Sequence, residues 1–341
     1  MESNLNTQEE PKGIEDTIEV NFESRLDISN FNSSIEKIRE QLSTIIVGQE
    51  KMIDLLLVAL LAKGHVLLEG VPGVAKTMTV KSLARCLGID FSRIQFTPDL
   101  MPSDILGTSI FDLKDSKFTF RKGPIFSNTI LIDEINRAPA KTQAALFEVM
   151  EERQITIDGN KYKMTPPFIV MATQNPIDQE GTYRLPEAQL DRFLFKILVD
   201  YPNLEEEVRI LEFENGFVGN DKSKQIQAVL NAKEIEDLQT LVKQVKVEPS
   251  ILMYIAEVIQ NTRQNPFLYL GASPRASIAL LNTSKALALL RGRDFVTPED
   301  ISYLVNPILR HRVQVTPERE MEGMTAEKVI EQIIEKVEVP R

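Results

Sequence analysis

Apolar residues recur at helical spacing from Phe31 to Leu42, through Ile35 and Ile38, and a second, strongly apolar run extends from Lys51 to Ala62. The pattern predicts two helices joined by the short loop Ile45-Ile46-Val47-Gly48-Gln49. Short apolar runs at 65–69, 91–96, 129–132, 168–172 and 193–199 then alternate with helix-like segments. Such alternation predicts an α/β domain around a mostly parallel sheet. Two insertions interrupt it. One spans about Thr97 to Asn128 and contains a candidate strand, Lys117 to Arg121. The other is a hairpin, in which 154–157 and 161–164 flank Asp158-Gly159-Asn160. Asp-Gly suits turns that need positive φ. After Tyr201-Pro202-Asn203 the pattern becomes helical, with helices expected at 204–216, 233–246, 249–263, 274–292 and 298–312. The expected organisation is a mobile acidic tail over 1–30, an α/β domain over 31–203 and an all-helical domain over 204–341.

Composition narrows the class. With 341 residues, 43% hydrophobic and 26% charged, the chain is long enough for two packed domains. Its net charge of -11 disfavours a protein whose main role is neutralising nucleic-acid phosphates. Cys86 is the only cysteine, so no intramolecular disulfide can form. No apolar stretch reaches membrane-spanning length and the N-terminus lacks a signal-peptide pattern, so the expected location is the cytoplasm, without membrane insertion.

The chemistry-bearing segment is Gly70-Val71-Pro72-Gly73-Val74-Ala75-Lys76-Thr77, placed between an apolar strand and a helix. Backbone N–H groups in such a turn, with the positive end of the following helix, can surround a polyphosphate. Lys76 is expected against the β- and γ-phosphates and the Thr77 hydroxyl at Mg²⁺. Ala75 stands where the P-loop template has glycine, and a helix beginning there is expected to give it right-handed dihedrals. A strand-to-helix turn without a ligand has the same outline.

Further candidates sit at strand ends. The run Thr129-Ile130-Leu131-Ile132 ends in Asp133 and Glu134, which a parallel sheet delivers to its ligand crevice. Asp133 is then expected to hold Mg²⁺ and Glu134 to polarise the attacking water. Asn175 follows the strand Phe168 to Ala172 and is positioned to orient that water. Arg192 precedes the last strand and is a candidate arginine finger for a neighbouring subunit. Arg275 follows Ser273 and Pro274 at a helix start, where a cation implies a nearby anion. A phosphate held between Lys76 and Arg275 would couple the two domains, and a salt bridge to a local carboxylate is the alternative.

Together these residues resemble the AAA+ ATPases, and within them the MoxR family. Gly70 to Thr77 looks like Walker A with the alanine usual in that family, Asp133-Glu134-Ile135-Asn136-Arg137-Ala138 like Walker B, and Asn175 like sensor 1. Leu185 to Phe193 looks like the arginine-finger box and Ser273-Pro274-Arg275 like sensor 2. The resemblance covers roughly residues 35–315. It implies a P-loop NTPase fold, a parallel-sheet domain followed by a smaller helical lid, with ATP and Mg²⁺ as ligands. It also implies adenine packing on Ile46, Val47 and Gly48, phosphates along Gly70 to Met78, a hexameric ring with nucleotide at the junctions, and both insertions facing its pore. The activity implied is ATP-driven, chaperone-like maturation of client proteins or metalloenzyme complexes, often with proteins carrying a von Willebrand factor A domain. A nucleic-acid motor is the alternative, supported locally by Lys161 and Lys163 alone. A regulatory module that binds nucleotide without turnover is a third reading.

Overall fold

The computed structural model describes residues 29–340 apart from 72, 115, 176–182, 184 and 216–225. The tail expected over 1–30 therefore lies outside the described residues, except for its last two positions, which open the first helix.

Helices α1 (Ser29–Ser43) and α2 (Glu50–Leu61) precede strand β1 (Val66–Gly70), then α3 (Lys76–Cys86), β2 (Phe91–Gln95) and α4 (Pro102–Leu106). A hairpin of β3 (Gly107–Asp112) and β4 (Lys117–Lys122) leads to β5 (Thr129–Asp133) and α5 (Ala140–Glu152). The second hairpin, β6 (Gln154–Ile157) and β7 (Asn160–Lys163), precedes β8 (Ile169–Gln174), the short α6 (Glu187–Leu190) and β9 (Phe195–Val199). Five strands form a wholly parallel sheet in the order β2-β5-β8-β1-β9. The hairpin turn at Asp158-Gly159 has positive φ at both residues, 50° and 77°, as its sequence predicts.

The sheet is covered on both faces, and the period-two alternation of its strands divides their side chains between two cores. Val66 and Leu68 join one core while Leu67 joins the other. On β5, Leu131 goes one way and Ile130 and Ile132 the other, and on β8 Ile169 and Met171 oppose Val170 and Ala172. The α5 side chains Leu146, Phe147 and Met150 close the second core.

Beyond β9 come α7 (Leu204–Asn215), α8 (Ala232–Leu241), α9 (Pro249–Gln264), β10 (Leu268–Leu270), α10 (Pro274–Leu290) and α11 (Pro298–Leu309). The chain ends with β11 (Gln314–Val315), α12 (Pro317–Met321) and α13 (Ala326–Lys336). The parallel-sheet domain and helical lid agree with the expected fold, with two corrections. The lid is not wholly helical, since β10 and β11 pair antiparallel. Strands this short carry too few residues to show an alternation. In addition, α8 stops at Leu241 and continues only as a 3₁₀ turn over Val242–Gln244.

The lid also shares a core with the sheet domain. Leu280, Leu287, Ile301, Leu304 and Ile308 belong to the same buried cluster as Leu56, Val58 and Phe195. One apolar mass therefore joins α2, the β9 side of the sheet and the lid helices, and it fixes where the lid residues 273–275 and 310–312 meet the sheet domain.

Candidate functional site

Strands β1, β5 and β8 are neighbours and run the same way, so their carboxyl ends lie side by side. Gly70 closes β1, and a Cβ there would sit 2.3 Å from the Val199 carbonyl oxygen, so the close approach of β9 requires glycine. The loop that follows has positive φ at Gly73 (90°) and at Ala75 (58°), with helix α3 starting only at Lys76. This overturns the expectation that Ala75 would be right-handed helical. A left-handed residue turns successive backbone N–H groups to one side, the nest that binds anions, and alanine holds that conformation at a steric cost.

A cavity of about 390 Å³ opens over this loop, bounded by Gly70, Gly73 to Met78, Asp133, Glu134, Thr173 and Asn175. The Lys76 ammonium donates to the Gly70 carbonyl at 2.5 Å. Burial lowers its pKa, while Asp133, Glu69 and Glu134 act the other way. Met78 is half exposed at the cavity rim, Val74 is buried, and Val71 packs against the main core. Pro72 lies outside the described residues.

The two carboxylates are held differently. Asp133 is 7% exposed, receives Arg93 Nε at 2.6 Å on Oδ2 and faces the Thr173 hydroxyl at 3.3 Å on Oδ1. Glu134 leaves the strand with a left-handed φ of 58° and donates its N–H to the Thr173 hydroxyl at 3.0 Å. Its Oε2 accepts from the Gln95 amide at 2.7 Å and pairs with Arg137 at 3.3 Å. Arg93, Gln95 and Thr173 escape the sequence reading. The available signal was β2 itself: residues two apart share a strand face, so Arg93 and Gln95 project together toward the neighbouring strand end. Asn175 lines the same cavity one residue past β8.

Ile46, Val47 and Gly48 are not in this cavity. They border a pocket of about 670 Å³ between α1 and α2, and Gly48 also edges one of about 510 Å³ with Leu198, Tyr201, Glu206 and Arg209. Since Gly70 pairs with Val199, the latter pocket begins where β9 ends, beside the phosphate loop. Ile46 is buried, and Gly48 takes φ 68° under the Glu206 carboxylate, which lies 2.5 Å from where a Cβ would stand.

Arg192 and Arg275 are also elsewhere. Arg192 pairs with Glu151 at 2.9 Å, donates to the Phe147 carbonyl at 2.8 Å and lies over the Phe147 ring. Arg275 pairs with the other oxygen of the same Glu151 at 3.2 Å and approaches Asp191 at 3.8 Å. The expectation of one phosphate between Lys76 and Arg275 is thus corrected within this chain. Arg275 does not line the phosphate cavity; the shared core seats the lid so that its residue 275 meets α5 and α6 instead.

The cavity brings together a lysine, a left-handed backbone turn, hydroxyl oxygens and two carboxylates, the groups that hydrolysis of a phosphoanhydride calls on. Comparison with known proteins points the same way. Residues 65–195 match the model of the ATPase family associated with various cellular activities, and residues 260–333 match the AAA lid domain. The chain is 50% identical over 304 residues to the uncharacterized protein YeaC of Bacillus subtilis, covering 88% of this chain and 93% of that one. It is 45% identical over 317 residues to the chaperone MoxR1 of Mycobacterium tuberculosis, covering 90% and 83%. A solved structure from Cytophaga hutchinsonii, assigned as an ATPase, superposes with a TM-score of 0.84 at 41% identity, covering 91% of this chain and 96% of its own.

Proposed function

Because this chain belongs to the MoxR family of AAA ATPases, we propose that its ATP hydrolysis drives chaperone-like remodelling, maturation or activation of partner proteins, metalloenzyme complexes among them. The observation that carries the reading is a divided site. Lys76, Thr77, Asp133, Glu134 and Asn175 surround one cavity, while Arg192 and Arg275 are gathered apart from it on Glu151. A site divided in this way is completed when the arginine face of one copy meets the phosphate cavity of another. The proposed assembly is a hexameric ring in the cytoplasm, with 31–203 as the nucleotide domain and 204–341 as the lid.

Thr77 and Asp133 line the same cavity and offer the hard oxygen donors that suit Mg²⁺, an ion held by one or two side chains plus substrate phosphates. Bound there, Mg²⁺ would neutralise charge on the β- and γ-phosphates. In the proposed reaction Lys76 leaves the Gly70 carbonyl for the phosphates. Glu134 takes a proton from water oriented by Asn175 as the water oxygen bonds to the γ-phosphorus. The bond from that phosphorus to the bridging oxygen breaks, and ADP departs with the electron pair. Arg192 and Arg275 of the adjoining copy meet the charge developing on the phosphoryl oxygens. Adenine is assigned to the Ile46 to Gly48 side, because the pocket edged by Gly48 begins beside the phosphate loop.

A chaperone-named relative and the net charge of -11 favour protein clients over nucleic acid. Proteins with a von Willebrand factor A domain are the proposed partners. The deciding experiment uses Glu134→Gln, which should bind ATP, lose hydrolysis and retain a client in an ATP-dependent manner, while Lys76→Ala retains none. Salt-sensitive DNA binding that stimulates hydrolysis would instead establish the motor.

A further inference from the structure

Arg312 follows α11 in the lid, and only 4% of its side chain is exposed. Its guanidinium directs four of its five hydrogen bonds to the segment that carries Arg192. Nε donates to the Asp191 carboxylate at 2.7 Å. One terminal nitrogen donates to the Asp191 carbonyl at 3.1 Å and the Phe193 carbonyl at 2.6 Å. The other donates to the Leu194 carbonyl at 3.1 Å and to the Ile308 carbonyl, in the preceding helix α11, at 2.6 Å. Carbonyls on both sides of Arg192 are thus held by one lid side chain. His311 reinforces the grip, its Nε2 lying 3.0 Å from the same Phe193 carbonyl.

The lid reaches this segment at a second point. Ser273 donates to the remaining Asp191 oxygen at 3.3 Å, and Arg275 approaches that oxygen at 3.8 Å while pairing with Glu151, the partner of Arg192. On its far side the segment meets the sheet where the Leu194 N–H donates to the His65 carbonyl at 2.7 Å and where Phe193 is buried in the core with Leu67 and Val170. A planar fork that meets a carboxylate and three carbonyls fixes position and angle together; a lysine in its place would supply charge without the fork.

We propose that Arg312 is a positioning residue for Arg192, clamping residues 191–194 to the lid so that the lid position of one subunit sets the reach of Arg192 into the phosphate site of the next. The proposal rests on the reading that Arg192 acts on a neighbouring subunit. It gives the lid a second role, because a lid that borders its own nucleotide then also carries its state across the junction.

The test uses the full chain with ATP and Mg²⁺, comparing Arg312→Lys with Arg192→Ala. Arg312→Lys should keep its affinity for a fluorescent ADP analogue within about twofold and lose turnover about 10- to 100-fold, the scale of a misplaced catalytic group. Mixing it with Glu134→Gln subunits should restore turnover, as for Arg192→Ala, and the double variant Arg192→Ala/Arg312→Lys should be no slower than Arg192→Ala alone. Additive losses, ADP affinity falling in step with turnover, or no recovery where Arg192→Ala recovers would overturn the clamp. Should Arg192→Ala keep full turnover or fail to recover, the neighbour-site reading fails first and the clamp with it. If Arg312→Lys melts at assay temperature, Asp191→Asn, which removes the ion pair and leaves the carbonyl contacts, is judged by the same readouts.

Discussion

The Gln95 amide donates to the Glu134 carboxylate at 2.7 Å, so the base expected to activate water is held from strand β2 while Arg137 pairs with the same oxygen. A carboxylate oxygen held by these two partners is turned toward β2 and must be released before it can face a nucleophilic water. Gln95→Ala should therefore raise basal ATP turnover about two- to fivefold, with nucleotide affinity unchanged, since a donor to a charged group is worth about 1.5–3 kcal/mol before water replaces it. Steady-state phosphate release measures this directly, and unchanged or slower turnover would mean that Gln95 orients the base productively.

Ala75 holds φ 58° immediately before Lys76. The left-handed region costs a residue with a Cβ about 1–2 kcal/mol, against about 0.4–1 kcal/mol of unfolded-state entropy that glycine adds. Ala75→Gly should stabilise the chain by about 0.5–1 kcal/mol on these terms, read from the denaturant midpoint. Ala75→Val should destabilise it and weaken ATP binding, because a β-branched side chain resists this backbone.

His65 is buried between β8 and α5, accepting the Val170 N–H on Nδ1 at 2.9 Å and placing Nε2 3.0 Å from the Met150 carbonyl. That pairing requires the neutral ring with its proton on Nε2. Burial, above all, lowers its pKa from 6.5 to about 4. Below 6.5 the unfolded chain binds a proton that the folded chain refuses, so stability is present at neutral pH and is lost as pH falls toward 4. The contribution lost is about 2–3 kcal/mol, because each tenfold drop in proton affinity is worth about 1.4 kcal/mol. Buried His311, also lowered, adds to the loss in the same window. Urea midpoints from about pH 7 to about pH 4.5 should fall less steeply in His65→Gln, whose amide can make both hydrogen bonds without titrating.

Glu151 joins Arg192 at 2.9 Å and Arg275 at 3.2 Å. If both arginines serve a neighbouring subunit, Arg192→Ala should cut turnover about 10³-fold while sparing ATP affinity. Mixed rings of Arg192→Ala and Glu134→Gln subunits should regain part of the activity through their intact junctions. Absence of recovery at every mixing ratio would confine Arg192 to its own chain.

The fold, and the meeting of Gly70, Lys76, Asp133, Glu134 and Asn175 around one cavity, were legible because both depend on local pattern. Apolar runs of strand length ending in Gly70, in Asp133 and Glu134, or just before Asn175 place those residues at one edge of any parallel sheet, whatever its lid does. The sequence likewise determined the Asp158-Gly159 hairpin, whose turn is set by two backbone angles. Tertiary structure alone decided the rest. Ala75 became left-handed because the loop must turn before α3 begins, and Gln95 found Glu134 through strand pairing between residues 39 apart in the chain. Arg275 went to Glu151 rather than to the phosphate cavity, and Arg312 to the carbonyls around Arg192, because the lid shares one core with α2 and β9. Packing of that kind sums many weak contacts between distant segments, and no short window of sequence contains them.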